Sequence, residues 1–296
     1  MDSTVATPRA VVPSLAFVHS RIPESHPSAG VLGEERMGVG VAIDARHVLT
    51  AHYLLLGAND VELSFADGRA RKVERTRIHH ETGLGIAELS GPEVHPVGLA
   101  TGAVTPGQPV FLLTCTEPNE RKVATGHVSR VGPFEAFWEY MLDRAIMTTI
   151  VNPGLSGAPL FDLEGRLVGI VSLGIAAVGR YSLAIPIELF VVHRSELLGE
   201  AERRGPARAW VGFYPHAHDG GVVVSGVISN GPAERAGLAG GDVLLSVDGH
   251  AVHTLRDLYR AIWKKKPGDA LGFGVLREAA AHVIEVTAGD RDAFYR

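Results

Sequence analysis

The sequence has little cysteine, no long apolar run and no excess of positive charge. Cys115 is the only cysteine among 296 residues, which excludes an intrachain disulfide. No apolar run approaches the roughly 20 residues of a membrane-spanning helix, and the formal net charge of −5 gives no basic field for nucleic acid. The start, MDSTVATPRA, is not a secretory signal. We therefore expect a soluble chain without a membrane span, cytoplasmic as written, or periplasmic or extracellular if it is a processed form.

Short strands separated by turns dominate the chain up to about residue 186. Apolar runs rich in valine are broken by glycine, of which the chain has 35, and by proline. Asp67-Gly68 and Glu164-Gly165 each join two apolar runs, as hairpin turns do. This pattern predicts a β-sandwich or β-barrel.

A different pattern follows in the last third of the chain. The segment PIELFVVHRSELLGEAERRGP begins at Pro186, has apolar residues at helical spacing and stops at Gly205-Pro206, which predicts a helix and a linker. From Trp210 onward, four strand-like runs alternate with the helical pieces PAERAGL and TLRDLYRAIWKKK. A compact α+β module of about a hundred residues or fewer is expected there.

The segment PGLSGAPLF, residues 153–161, places Ser156 in a glycine-rich turn. A serine hydroxyl is a nucleophile only when a neighbouring base takes its proton, and glycines let backbone N–H groups face an oxyanion. The elbow of α/β-hydrolases does not fit, because Ala158 replaces its second glycine and a hairpin follows instead of a helix. A chymotrypsin-like double barrel fits that context. A turn that merely contains a serine remains the alternative.

Several segments together resemble the HtrA/Deg family of trypsin-like proteases. The serine region is NPGLSGAPLFDLEGRLVGIVS, the histidine region GVGVAIDARHVLTAHYLLLGANDVEL, the aspartate region HHETGLGIAEL, and the PDZ region SNGPAERAGLAGGDVLLSVDGHAV. The resemblance implies a mainly β chain that needs no cofactor. It implies a trypsin-like double β-barrel over residues 10–186, split near residue 100, then a helix and linker over 187–208 and a small α+β PDZ domain over 209–291.

The catalytic positions depart from the family pattern. Ser156 matches the nucleophile, and the N–H groups of Gly154 and Ser156 match the oxyanion donors. In the family pattern T-x-x-H, Tyr53 takes the position of the base and His52 falls one residue early. In the pattern T-D-L-A, Gly83 takes the position of the acid. A phenol with a pKa near 10 is a poor proton acceptor at neutral pH.

These departures favour a catalytically inactive protease homologue that binds peptides or proteins. The alternative is an active serine endopeptidase in which Ser156 uses a displaced base such as His52. His79, His80 and Glu81 offer another displaced base or acid, although a solvated strand end is the favoured interpretation. A third hypothesis is a chaperone-like scaffold that forms homo-oligomers, as the resemblance implies.

The PDZ-like module predicts a binding site for a peptide's C-terminal carboxylate and an apolar last residue. PDZ domains add an extended peptide to a sheet edge, and the resemblance places the carboxylate at the module's start. The alternative is a module that keeps the PDZ fold but packs its peptide groove against the barrel. We expect no metal site, because His216-Ala217-His218-Asp219 reads as a polar loop. The predicted peptide-binding residues are Trp210, Val211, Gly212, Phe213, Leu258 and Ile262.

Overall fold

A computed structural model describes residues 8–91, 93–175, 181–203, 205–218 and 220–296. The chain forms two compact units. The first contains the described residues up to Pro133 together with Asp143–Glu202, and the second contains Phe134–Leu142 together with Arg203–Arg296. Most of the regular structure is strand, so the mainly β prediction is confirmed. The predicted domain limits remain a prediction, and the observed units differ from them at residues 134–142.

The first unit begins with a closed barrel in the strand order β1-β2-β3-β6-β5-β4. Every pairing along it is antiparallel, for example Phe17 opposite Val39. The barrel is filled by buried aliphatic residues such as Val18, Leu63 and Leu89. Its strands are β1 Leu15–Arg21, β2 Glu35–Ala42, β3 His47–Ala51, β4 Asp60–Phe65, β5 Ala70–His79 and β6 Leu84–Leu89.

A second closed barrel follows in the same unit, with the order β10-β11-β12-β9-β8-β7. Leu112, Leu160 and Ile170 lie in its core and are fully buried. The hairpin of β8 and β9 is long, and residues 134–142 at its tip belong to the second unit. The strands are β7 Pro109–Thr114, β8 Lys122–Ala136, β9 Tyr140–Thr148, β10 Pro159–Phe161, β11 Leu167–Ile175 and β12 Tyr181–Pro186.

Short helices connect and flank these strands. The helical turn that follows β3 carries the residues expected at the base position. The helices of the first unit are α1 Pro8–Val11, α2 Ala29–Leu32, α3 Ile187–Val192 and α4 Arg194–Leu197, with the 3-10 turns η1 Val12–Ser14 and η2 His52–Leu54.

The second unit is an antiparallel sheet in the order β13-β14-β15-β17-β18, with β16 paired to β15. Helix α6 begins with a capping box between Thr254 and Asp257, and Leu258 and Ile262 face the core. The elements are β13 Phe213–His218, β14 Gly221–Val227, β15 Val243–Val247, β16 His250–Ala251, β17 Ala270–Arg277, β18 Ala280–Thr287, α5 Pro232–Ala236, α6 Leu255–Ile262 and α7 Arg291–Phe294.

Within the described part of the chain, no helix has both the length and the apolar character that crossing a bilayer would require.

Candidate functional site

Ser156 lies in the loop between β9 and β10, where strands from both barrels hold it. The Val39 N–H of β2 donates to the Ser156 carbonyl at 2.8 Å, and the Gly157 N–H donates to the Val171 carbonyl of β11 at 2.7 Å. Gly157 has a φ of +86°, and a Cβ at this position would lie 2.0 Å from the Val39 carbonyl oxygen. Glycine is therefore required directly after Ser156.

Tyr53 is the side chain that the structure brings to Ser156. It lies on η2, and its phenol is close enough to the Ser156 side chain to interact with it. Burial raises the pKa of Tyr53 above its ordinary value, because the loss of hydration outweighs the effects of the Ser156 hydroxyl and of the charge of Arg36. The phenol therefore stays protonated near neutral pH and does not take a proton from Ser156.

His52 and Gly83 meet through the backbone of Gly83. The His52 N–H donates to the Gly83 carbonyl at 2.9 Å, and His52 Nδ1 lies 3.1 Å from the same oxygen. Because a carbonyl oxygen only accepts, this contact places a proton on Nδ1. Gly83 is buried, and it offers this imidazole a neutral carbonyl in place of a carboxylate.

The predicted oxyanion donor Gly154 already has an acceptor. Its N–H donates to Asn152 Oδ1 at 3.0 Å, and Asn152 Nδ2 donates to the Leu155 carbonyl at 3.0 Å. The Leu155 N–H donates to the Cys115 carbonyl at 3.1 Å. An oxyanion hole needs N–H groups aimed at the reacting oxygen, so this loop conformation withholds the Gly154 donor. The sequence contains Asn152, but it gives no sign that this side chain accepts a hydrogen bond from the Gly154 N–H.

His79 joins His193 and Glu196 in a half-buried cluster. His79 Nε2 lies 3.5 Å and His193 Nδ1 3.6 Å from the Glu196 carboxylate oxygens. The Thr82 N–H donates to His79 Nδ1 at 3.2 Å, which leaves the ring proton on Nε2. A metal ligand has the opposite arrangement, with its other ring nitrogen donating. The cluster therefore brings His79 of β5 close to Glu196 of α4. His216 and His218 lie on β13, and Asp219 lies outside the described residues.

The second unit has a polar site at residues 210–213, which we call the carboxylate loop. The N–H groups of Val211, Gly212 and Phe213 all donate to the carboxylate of Glu139, at 2.9, 2.7 and 3.4 Å. Gly212 has a φ of +80°, and a Cβ there would approach the Trp210 ring at 3.0 Å. The loop thus binds a carboxylate with three backbone donors, a charge-assisted arrangement.

The predicted pocket side chains are part of the core of the second unit. Trp210 is buried against Phe294 and Tyr295, with ring centroids 4.6 and 5.9 Å apart. Phe213, Leu258 and Ile262 are fully buried, and Met141 packs against the same cluster. Sequence reasoning missed Glu139, because residue 139 falls inside the range assigned to the second barrel.

Comparison with known proteins agrees with this architecture. A trypsin-like peptidase domain matches residues 38–170, and a PDZ domain matches residues 209–287. The chain carries a trypsin-like peptidase domain followed by a PDZ domain. The expected fold and the resemblance to HtrA proteases are thereby confirmed.

Curated relatives of this chain are named "Probable periplasmic serine endoprotease DegP-like". The protein from Halomonas elongata is 27% identical over 89% of this chain and 59% of its own length. The protein from Ectopseudomonas mendocina is 26% identical over 92% of this chain and 61% of its own length. The chain thus spans about three fifths of these relatives. Their names place them in the periplasm, so the prediction of a cytoplasmic location has no support from them.

Solved structures share the fold of this chain. One is described as HtrA-type protease AlgW with decapeptide, with a TM-score of 0.56, 22% identity and coverage of 95% of this chain and 96% of that one. Another is a serine endoprotease from Yersinia pestis, with a TM-score of 0.56 and 20% identity over 95% of this chain and 96% of that one.

Proposed function

We propose that this protein is a catalytically inactive member of the HtrA type that binds peptides or partner proteins through its PDZ domain. The observation that carries the proposal is that the Tyr53 phenol interacts with the Ser156 side chain. In a working site, an imidazole would stand there and take the serine proton. Loss of the base alone costs on the order of 10⁶ in the turnover of a serine protease.

Two further features support inactivity. Gly83 supplies no carboxylate to orient an imidazole or to stabilise its charged form. The Gly154 N–H donates a hydrogen bond to Asn152 Oδ1, so in this loop conformation it is not available to an oxyanion. The nucleophile therefore has neither a base nor the full pair of oxyanion donors.

The carboxylate loop supports the binding part of the proposal. Three convergent N–H groups at residues 211–213 hold a carboxylate next to an apolar core. PDZ domains hold the C-terminal carboxylate of an extended peptide in this manner. Partners with a free C-terminus and an apolar last residue are the ligands that this chemistry fits.

One observation favours a second candidate, an active endopeptidase that uses His52. The bond between His52 Nδ1 and the Gly83 carbonyl leaves Nε2 as the ring's acceptor. That is the tautomer a general base needs. The imidazole would then have to reach Ser156 from a position one residue earlier than the family pattern.

Labelling with a fluorophosphonate probe tests both candidates. The proposal expects the wild-type chain to label no faster than Ser156→Ala, and to leave casein intact. Labelling that disappears in both Ser156→Ala and His52→Ala would overturn it in favour of the second candidate. Labelling that survives His52→Ala but disappears in Ser156→Ala would also contradict inactivity.

A library of decapeptides with free or amidated C-termini tests the binding function. Amidation removes the terminal charge and should weaken binding by at least about tenfold, because a hydrogen bond to a charged group contributes roughly 1.5–3 kcal/mol. Equal binding of the free and amidated peptides would contradict recognition at the carboxylate loop.

A further inference from the structure

The tip of the β8–β9 hairpin, residues 134–142, occupies the carboxylate loop of the second unit. Glu139 brings two carboxylate oxygens to the N–H groups of residues 211–213, the same chemical group that a peptide's C-terminus would bring. The Glu139 residue is only 4% exposed. The loop is therefore filled by the chain itself.

The backbone of the tip is shaped to present this carboxylate. Glu139 has a φ of +54°, a left-handed conformation that non-glycine residues adopt at a cost. The Tyr259 hydroxyl of α6 donates to the Ala136 carbonyl and accepts from the Glu139 N–H. Arg291 of α7 donates to the carbonyls of Glu139 and Trp138, each at 3.2 Å. Contacts from two helices thus compensate for the strained turn.

The tip also supplies the apolar half of a ligand. Met141 packs against the core cluster that contains Leu258 and Ile262. At the edge of the contact, Glu135 pairs with Arg256 at 2.6 Å. A buried carboxylate beside an apolar side chain reproduces the features expected of a peptide's last residue.

We propose that the tip is an internal ligand of the carboxylate loop, and that a partner's C-terminal carboxylate competes with Glu139 for the same N–H groups. The competition by a partner's C-terminus rests on the proposed peptide-binding function. The contact between the tip and the carboxylate loop does not. A peptide then binds only the fraction of molecules in which the tip has left, and its apparent affinity falls by that fraction.

The first test uses Glu139→Gly in the full chain, because this variant distinguishes the effect of the carboxylate from the effect of the turn. Glycine adopts a φ of +54° without strain, so this variant keeps the turn and removes the ligand group. Glu139→Asn shortens the side chain, removes the carboxylate and tolerates a left-handed φ, and it replaces Glu139→Gly if that variant melts at a much lower temperature. Glu135→Gln is the matched control, since it changes a carboxylate of the same tip that lies outside the loop.

Amide hydrogen exchange at residues 211–213 tests, without any added peptide, whether the tip occupies the carboxylate loop. We expect exchange to be at least about tenfold faster in Glu139→Gly than in the wild type, and nearly unchanged in Glu135→Gln. Equal protection in the wild type and in both Glu139 variants would overturn the inference.

The decapeptide library then tests the competition. Free-carboxylate peptides should bind Glu139→Gly at least about tenfold more tightly than they bind the wild type. Equal affinity for the two chains would overturn the inference while leaving peptide binding intact. Faster exchange in Glu139→Gly, with no peptide bound by any chain, would support the internal ligand and contradict the proposed peptide-binding function.

Discussion

Arg36 holds the turn that carries Tyr53, and all five of its N–H groups have acceptors. The guanidinium donates to the carbonyls of Gly33, Tyr53, Leu56 and Ser28, and to the Ser28 hydroxyl. Arg36 is only 4% exposed, and burial lowers its pKa to about 10, which still leaves it charged at neutral pH. A buried cation without a carboxylate partner is thus stabilised by oxygen dipoles.

We predict that Arg36→Met destabilises the chain by about 3 kcal/mol or more, because it removes the five hydrogen bonds of a buried, charged guanidinium. The melting temperature of the first unit should fall by roughly 6–12 °C. Arg21→Met is the matched control: Arg21 makes one exposed ion pair with Asp60 and should lose less than about 1 kcal/mol. Similar melting temperatures for the two variants in a calorimetric scan would contradict the prediction.

At the scale of residues, chain spacing was enough to assign Tyr53 to the base position, because it lies three residues after Thr50, where the family pattern has its base. Its phenol interacts with the Ser156 side chain, and its assignment to the base position stays a prediction. Glu139 and Asn152 could not be found in this way. The roles of both depend on side-chain hydrogen bonds to backbone groups whose positions only the folded chain defines.

The β8–β9 hairpin gives the second unit a titratable contact. Burial raises the pKa of Glu139 above its ordinary value of 4.5, because the loss of hydration outweighs the N–H donors and Arg291. The titratable and charged groups that interact with it are Arg291 of α7, Tyr259 of α6 and Tyr295. An acid whose pKa is raised in the docked state stabilises that state at low pH.

We therefore predict that docking of the tip is strongest below pH 4.5 and weakens as the pH rises through the raised pKa of Glu139. The Gly212 amide resonance of the full chain should shift from a docked toward a released position across that range. Glu139→Gln should show no such transition. A transition of equal size in that variant, or one of opposite direction, would contradict the prediction.

At the scale of elements, local signals located several helices. TLRDLYRAIWKKK contains α6 with its Thr254 capping box, and PAERAGL contains α5, which ends before Gly237. The tip of the hairpin carries no local signal of its partner. Its contacts reach residues 211–213 and 259, from about 70 to 120 positions away along the chain.

The molecule consists of two units, and each unit is built from two separate segments of the chain. Sequence motifs predicted the order of a trypsin-like domain and a PDZ domain, because those motifs are themselves continuous. They could not predict that residues 134–142 complete the second unit. Ala136 and Leu142 are buried there, and Met141 packs against its core. A fragment cut at residue 203 would therefore lack part of its own structure.

We predict that the fragment 203–296 is stabilised by a cyclic peptide of residues 134–142 added in trans, because the peptide restores the Glu139 carboxylate and the apolar contact of Met141. Cyclisation leaves no terminal carboxylate, so any binding must use side chains. At a peptide concentration 100 times its dissociation constant, the gain is about 2.7 kcal/mol. For a domain of this size, that gain raises the melting temperature by roughly 10–20 °C. The matched peptide with Glu139→Gly should stabilise far less, since it lacks the side-chain oxygens that the three N–H groups bind. If neither peptide changed the melting temperature of a folded fragment, residues 134–142 would not be a ligand of the second unit.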